Sequence, residues 1–339
     1  MKKLPNHLAI TPGVEIDGVW VEPVDHLVTS NLKIWAEKSN VTSVRLPGYW
    51  THKKGSSIEV ASAPLPGEKV IYSLHGGAYI RLSAHPTDPT AGIARGLLKH
   101  VDPVTRVFAI EYRLASSTPF PVAYPFPTQL IDALAGYNYL VNIVGVKPDD
   151  IVVVGDSAGG NLAHALVRYL TDYQGTSEVN LPGPPGALLL LSPWVNIGTT
   201  HETLPNGSAK RFFSSDYIIS AGGRADYAKA SFLGPHGLDA AETNHYISPA
   251  SLDPDLKVDF KNFPRTFIVS GGAEILYDQI KTFSDRMIAD LGEGNGAEGE
   301  GKVRYFEAPD GIHDYLIFSW HEPERTNTFK EINRWITAA

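Results

Sequence analysis

Short apolar runs alternate along the chain with longer stretches whose apolar positions recur at helical spacing. Lys69–Leu74, Arg106–Arg113, Ile151–Val154, Ala187–Leu191, Arg265–Ser270 and Val303–Ala308 read as strands. Their near-continuous apolar character, most evident in Ile151-Val152-Val153-Val154, is that of strands buried on both faces. Helices are predicted at about 88–100, 128–144, 159–170, 276–291 and 323–336, between or after those strands. Strands alternating with helices of this length imply an α/β fold, a mostly parallel sheet covered by helices on both faces. Two stretches break the rhythm. Val41–Thr51 and Ile58–Ala63 alternate well enough to form a hairpin around Lys53-Lys54-Gly55-Ser56, which predicts an antiparallel edge. Residues 198–250 carry helix-like pieces and aromatic clusters but no clear strand.

This pattern divides the chain into a first part of the core at 41–197, an insertion at 198–250 and a second part of the core at 251–339. The first 40 residues hold one candidate helix, Asp25–Lys38, with Leu27, Leu32, Ile34 and Trp35 inward, and are the natural partner of the insertion in a cap. Gly292–Gly301 is a low-complexity, solvated loop. It runs into Gly296–Lys302, which fits the spacing of a phosphate-binding loop. Val303 replaces the hydroxyl residue, however, and the segment precedes a strand instead of following one.

Composition narrows the classes. The 339 residues are 43% hydrophobic and 19% charged, an ordinary globular balance. A net charge of −8 with no long basic run argues against a nucleic-acid surface. The absence of cysteine removes disulfides, thiolate metal sites and a cysteine nucleophile together. No apolar run approaches a membrane span, and Met1–His7 has no apolar segment behind its charges, so the expected location is cytoplasmic.

Chemistry enters at Gly155-Asp156-Ser157-Ala158-Gly159, a G-x-S-x-G between a strand and a helix. In that context the serine sits on a strained turn, and the two glycines lack the Cβ atoms that would collide across it. The hydroxyl is lifted above the sheet edge, where the N-terminal N–H groups of the next helix point. An activated serine needs oxyanion donors, a base and an orienting carboxylate. His75-Gly76-Gly77-Ala78, just after a strand, bares backbone N–H groups, so Gly76, Gly77 and Ala158 are the expected donors. His75 itself reads as structural. The base belongs in the loop after the last strand, Pro309–Asp314, which selects His313 among twelve histidines, with His321 as the fallback. The acid belongs in Gly271–Asp278, where Glu274 and Asp278 compete; Glu274 stands directly off the strand end.

His-Gly-Gly-Ala at 75–78, Tyr112-Arg113-Leu114-Ala115 with Pro119-Phe120-Pro121, Gly-Asp-Ser-Ala-Gly-Gly-Asn at 155–161, Gly-Gly-Ala-Glu at 271–274 and Gly-x-His at 311–313 together resemble the hormone-sensitive-lipase-like carboxylesterases. The resemblance runs from about residue 70 to the C-terminus outside the insertion. It implies an α/β-hydrolase core, a helical cap, no metal or other cofactor, and hydrolysis of a small-molecule ester or lactone of short to medium acyl length. The catalytic residues it implies are Ser157, Glu274 and His313. Three positions depart from the family pattern: Ala78 replaces a third glycine, Glu274 replaces an aspartate, and Ser116-Ser117 replaces Pro-Glu, which would loosen a turn. Tyr79, Trp194, Phe212, Phe213, Tyr217 and Ile312 are the expected substrate-lining residues. The same residues would serve a lactonising cyclase or an acyltransferase. A ligand receptor on this fold is the third reading, which the presence of Ser157, Glu274 and His313 disfavours.

Overall fold

The computed structural model of the chain describes residues 17–176, 178–218 and 222–338. Residues 1–16 of the expected N-terminal cap segment lie outside it. The strands are β1 (Asp17–Val21), β2 (Leu46–His52), β3 (Lys69–Leu74), β4 (Val104–Ile110), β5 (Ile151–Asp156), β6 (Ala187–Leu191), β7 (Arg265–Gly271) and β8 (Val303–Ala308). The helices are α1 (Ser30–Ser39), α2 (Ala91–His100), α3 (Thr128–Asn138), α4 (Ala158–Tyr173), α5 (Ser208–Arg211), α6 (Arg224–Leu233), α7 (Gly237–Thr243), α8 (Tyr277–Leu291) and α9 (Glu324–Thr337). One sheet has the order β1-β2-β4-β3-β5-β6-β7-β8, parallel from β4 to β8 and antiparallel at the β1-β2 edge.

Alternation within each strand serves two cores. Ile151 and Val153 of β5 face a cluster with Leu130, Leu134, Leu166 and Phe283 from α3, α4 and α8. Val152 and Val154 face the opposite cluster with Ile93, Leu97, Phe329 and Trp335 from α2 and α9. A strand with both faces covered carries apolar side chains at every position, as the unbroken run of β-branched residues predicts.

The connection order fixes where a site can form. From β3 the chain crosses to β4 on one side and then returns to β5 on the other. The C-terminal ends of β3 and β5 therefore flank the switch point of the sheet, where open α/β sheets bind ligands.

The expected hairpin of 41–51 with 58–63 does not form. Leu46–His52 pairs instead with Asp17–Val21, with Leu46 opposite Val21 and Trp50 opposite Asp17. Its other edge pairs with β4, so no room is left for residues 58–63. The N-terminal stretch is thereby divided: residues 17–21 join the sheet, while α1 packs on the insertion. Trp35 of α1 meets Phe126 and Tyr246 at ring centroid distances of 5.2 and 5.1 Å, and Ser39 Oγ lies 3.0 Å from His236 Nε2. Leu27 and Leu32 are buried as expected, but Ile34 is 60% exposed, one side chain off the inward face. Ser116 and Ala123 exchange backbone hydrogen bonds of 2.9 and 3.1 Å, and Ser116 Oγ donates to Pro121 O. The turn expected to be loosened is closed by its own serine.

Candidate active site

Ser157 stands at the junction of β5 and α4 with φ 51° and ψ −118°, a backbone conformation that non-glycine residues rarely hold. It persists because the surroundings leave no alternative. Ser157 N–H donates to Leu191 O at 3.0 Å, and Ser157 O accepts from Trp194 N–H at 2.9 Å. A Cβ on Gly155 would stand 2.1 Å from Gly159 O, and one on Gly159 would stand 2.0 Å from Leu74 O. Both glycines are thus required for the sharp strand-to-helix turn.

Two loops bring partners to the hydroxyl. His313, between β8 and α9, places Nε2 3.0 Å from Ser157 Oγ. Glu274, between β7 and α8, places Oε2 2.8 Å from His313 Nδ1. The other carboxylate oxygen, Oε1, accepts from Gly271 N–H at 2.6 Å and Ser192 Oγ at 3.0 Å. All three side chains are buried, Ser157 being 8% exposed. Burial raises the Glu274 carboxyl above its usual range, and the His313 contact opposes the rise.

Asp278, the competing acid, is turned elsewhere. Its Oδ2 accepts from Ser208 N–H at 2.6 Å and its own N–H donates to Ser208 Oγ at 3.1 Å, so it caps α5 of the insertion. His321 lies 3.3 Å from Glu324, on α9.

The glycine loop is folded by its neighbours. Tyr112 stacks on His75 at 4.2 Å, and its hydroxyl donates to His75 O at 2.6 Å. Burial pulls the His75 imidazole down to about 4, so it is neutral and structural. Gly77 has φ +109°, and a Cβ there would meet Arg81 O at 2.1 Å. Gly76 N–H corrects the three-donor expectation: it donates to Asp156 Oδ2 at 2.9 Å, because the Asp156 side chain at the end of β5 faces the loop. The other two expected donors, Gly77 N–H and Ala158 N–H, have no backbone partner among the described residues, Ala158 standing in the first turn of α4.

The expected substrate-lining residues are dispersed. Tyr217 is 52% exposed with its ring 6.1 Å from that of His313, and Ile312 adjoins His313 in sequence and is half-buried. Tyr79 is buried instead, stacked on Phe232 of α6 at 4.0 Å and bonded through its hydroxyl to Asn161 Oδ1 at 2.7 Å. Trp194 is buried and supports the elbow through its N–H. Phe212 packs partly against the main core, and Phe213 projects to solvent. Tyr79 and Trp194 are therefore packing residues; the amphipathic ring of each meets apolar surface that sequence proximity alone does not reveal.

Four residues at the site carry no motif signal. Ser192 bonds Glu274, and Asp314 Oδ2 lies 3.1 Å from His313 Nε2. Asp216, from the insertion, accepts from Ile275 N–H at 2.9 Å and His313 N–H at 3.4 Å, holding the acid and histidine loops together. Phe318 carries the aromatic surface outward, edge-on to Tyr217 at 5.4 Å and stacked with Trp320 at 5.1 Å. Among the described residues no group of three or more His, Asp or Glu side chains is placed to hold a metal ion, and no helix is long and apolar enough to cross a membrane.

Comparison with known proteins relates the chain and its fold to a family. The profile of the alpha/beta hydrolase fold matches residues 71–316. Esterase LipU of Mycobacterium tuberculosis is 26% identical over 90% of this chain and 93% of its own. An acetyl-hydrolase of Streptomyces hygroscopicus is 32% identical over 78% of this chain and 72% of its own. A solved esterase of the bacterial hormone-sensitive lipase family is 25% identical with a TM-score of 0.60, covering 86% of this chain and 81% of that one. By sequence and by fold, the chain belongs to the α/β-hydrolase fold family, as a serine hydrolase of its hormone-sensitive-lipase-like group.

Proposed function

We propose that the chain hydrolyses carboxylic esters of short to medium acyl length through Ser157, His313 and Glu274, by way of an acyl-enzyme. The observation that carries this reading is the imidazole of His313, with Ser157 Oγ 3.0 Å from Nε2 and Glu274 Oε2 2.8 Å from Nδ1. Glu274 holds the Nδ1–H tautomer, which leaves the Nε2 lone pair for the serine proton. Ser157 Oγ attacks the ester carbonyl as that proton passes to Nε2, and the developing oxyanion is met by Gly77 and Ala158 N–H. His313 then returns the proton to the leaving alcohol. Water repeats the sequence on the acyl-enzyme, releasing the acid and restoring Ser157. The similarity to an esterase and to an acetyl-hydrolase supports ester chemistry of this kind. The run of rings from Tyr217 through Phe318 to the 68% exposed Trp320 offers an apolar path away from His313 for the larger end of the ester.

The test is hydrolysis of p-nitrophenyl esters over a series of acyl lengths, for the protein and for Ser157→Ala. Turnover that declines beyond a limiting acyl length and falls by roughly 10³-fold or more in the variant is expected. Product analysis on an ester that carries its own hydroxyl should give free acid. A cyclic or transferred ester as the main product would instead assign the acyl-enzyme to a lactonising or transfer reaction.

A further inference from the structure

His313 Nε2 has two neighbours where a serine hydrolase base needs one. Ser157 Oγ lies at 3.0 Å and Asp314 Oδ2 at 3.1 Å. We propose that Asp314 shares a proton with His313 Nε2 in the resting site, and so sets the pH at which that nitrogen becomes free to take the Ser157 proton. The inference rests on the reading of His313 as the base.

The physics is a matter of counting lone pairs and protons. With Nδ1–H directed at Glu274, a neutral imidazole presents a lone pair at Nε2. A carboxylate oxygen 3.1 Å from Nε2 in a buried site favours a proton held by one group or the other, since an ionised carboxyl without one would face the imidazole nitrogen with no compensating charge. The pair therefore rests either as imidazolium and carboxylate or as imidazole and carboxylic acid. In both forms the site holds one proton more than it would with Glu274 alone. That proton must leave to water before Nε2 can accept the one on Ser157 Oγ, and its departure leaves a neutral His313 beside an ionised Asp314.

The surroundings keep Asp314 in place and deny it any other cation. Its N–H donates to Ser192 Oγ at 3.2 Å and its backbone has φ 49°, so the side chain is directed from a fixed, left-handed turn. The carboxyl is buried, and Oδ1 has no hydrogen-bond partner among the described residues. His313 is its one salt-bridge partner there. The other groups facing this pair are almost all acidic: Glu274 from the β7–α8 loop, Asp156 from the end of β5, and Asp216 from the insertion. The Tyr217 hydroxyl also feels Asp314, and Arg81, beyond the glycine loop, is the cation acting on that tyrosine. Burial raises Asp156 far above the carboxylate range and Asp314 adds to the rise, as expected for two carboxyls in one dry site. Burial alone would lower the His313 imidazole. Asp314, and behind it Glu274, more than offset that and hold it well above its ordinary value.

The experiment is the pH dependence of kcat/KM for the protein, Asp314→Asn and Asp314→Gly. Both replacements tolerate the left-handed backbone at 314, and neither can take a proton from Nε2. The expected result is a downward move of the acidic limb by about one pH unit or more in both variants. A limb that stays in place in both, or moves in the glycine variant only, would overturn the proposal. A role limited to folding would lower kcat without moving the limb. The same question is answered without turnover by titrating the imidazole ¹⁵N signals in a Ser157→Ala background, with His313 identified by the signal lost in His313→Gln. Asp314→Asn should lower the midpoint of that ring by a similar amount, and an unmoved midpoint would sink the idea. Loss of ester hydrolysis altogether, with the ring titration still shifted, would fault the esterase reading and leave the proton-sharing pair standing.

Discussion

Glu274 is one methylene longer than the aspartate usual in the resembling family, and the structure accommodates the excess by folding the side chain over its own loop. Oε1 turns back to Gly271 N–H while Oε2 reaches His313 Nδ1, so both oxygens are engaged. Glu274→Gln keeps the length but places an amide N–H or a weaker acceptor against Nδ1, which favours the wrong tautomer. A loss of roughly 10³–10⁴-fold in kcat with little change in KM is expected, read from steady-state hydrolysis of the best p-nitrophenyl ester. Ala78 is the opposite case. The sequence marks it only as a glycine missing from a loop, whereas the structure gives it φ 54°, so the substitution places a Cβ in a conformation that glycine holds without cost.

Among the elements, the insertion does more than cover the sheet. Ser208 and Asp278 cap each other's backbone across the boundary between α5 and α8. A few residues on, Asp216 joins the loop of the acid to the loop of the base. Positioning of Glu274 and His313 thus depends on a segment that contributes no reacting group. Asp216→Ala removes the acceptor from two buried loop N–H groups, those of Ile275 and His313, and such a loss costs about 1–3 kcal/mol for each. The expected outcome is a fall in kcat of about tenfold or more, with Ser157 still labelled to completion by a fluorophosphonate and activity partly restored in Asp216→Asn. Unchanged kcat in Asp216→Ala would show that the two loops hold their geometry without the insertion.

At the scale of the whole molecule, acid groups buried near one end of the sheet tie stability to pH. Burial pushes the Glu111 carboxyl up to about 7, against the opposing bonds from Ser83 Oγ and Ala84 N–H. A carboxyl whose pKa is higher in the fold than in the unfolded chain binds its proton more tightly when folded. Its contribution is therefore fully present below the unfolded value, near 4.5, and is lost as pH rises through about 7. Glu111→Gln keeps an acceptor for both bonds and has no charge to bury. Its stability relative to the parent should rise by about 2–3 kcal/mol between pH 5 and pH 8, measured by urea unfolding at both; a constant difference would place the carboxyl's titration in the ordinary range. The elements that the sequence determined are those whose signal is local. Ile151–Val154 is apolar at every position because both faces of β5 are covered, and Gly155 and Gly159 are glycines because a Cβ at either would collide within the turn itself. His313 and Glu274 were placed by the loop each occupies after its strand, which chain order supplies. Pairing and proximity were decided only in three dimensions. Leu46–His52 has alternation that suits any partner, and it found β1 through a contact across the sheet edge. Asp156 draws off Gly76 N–H, Asp216 ties two loops, and Asp314 reaches the imidazole beside it, each through side-chain directions that no spacing along the chain encodes. Period and turn chemistry are properties of neighbours in sequence, while proton sharing and loop clamping are properties of atoms within hydrogen-bond reach after the sheet has closed.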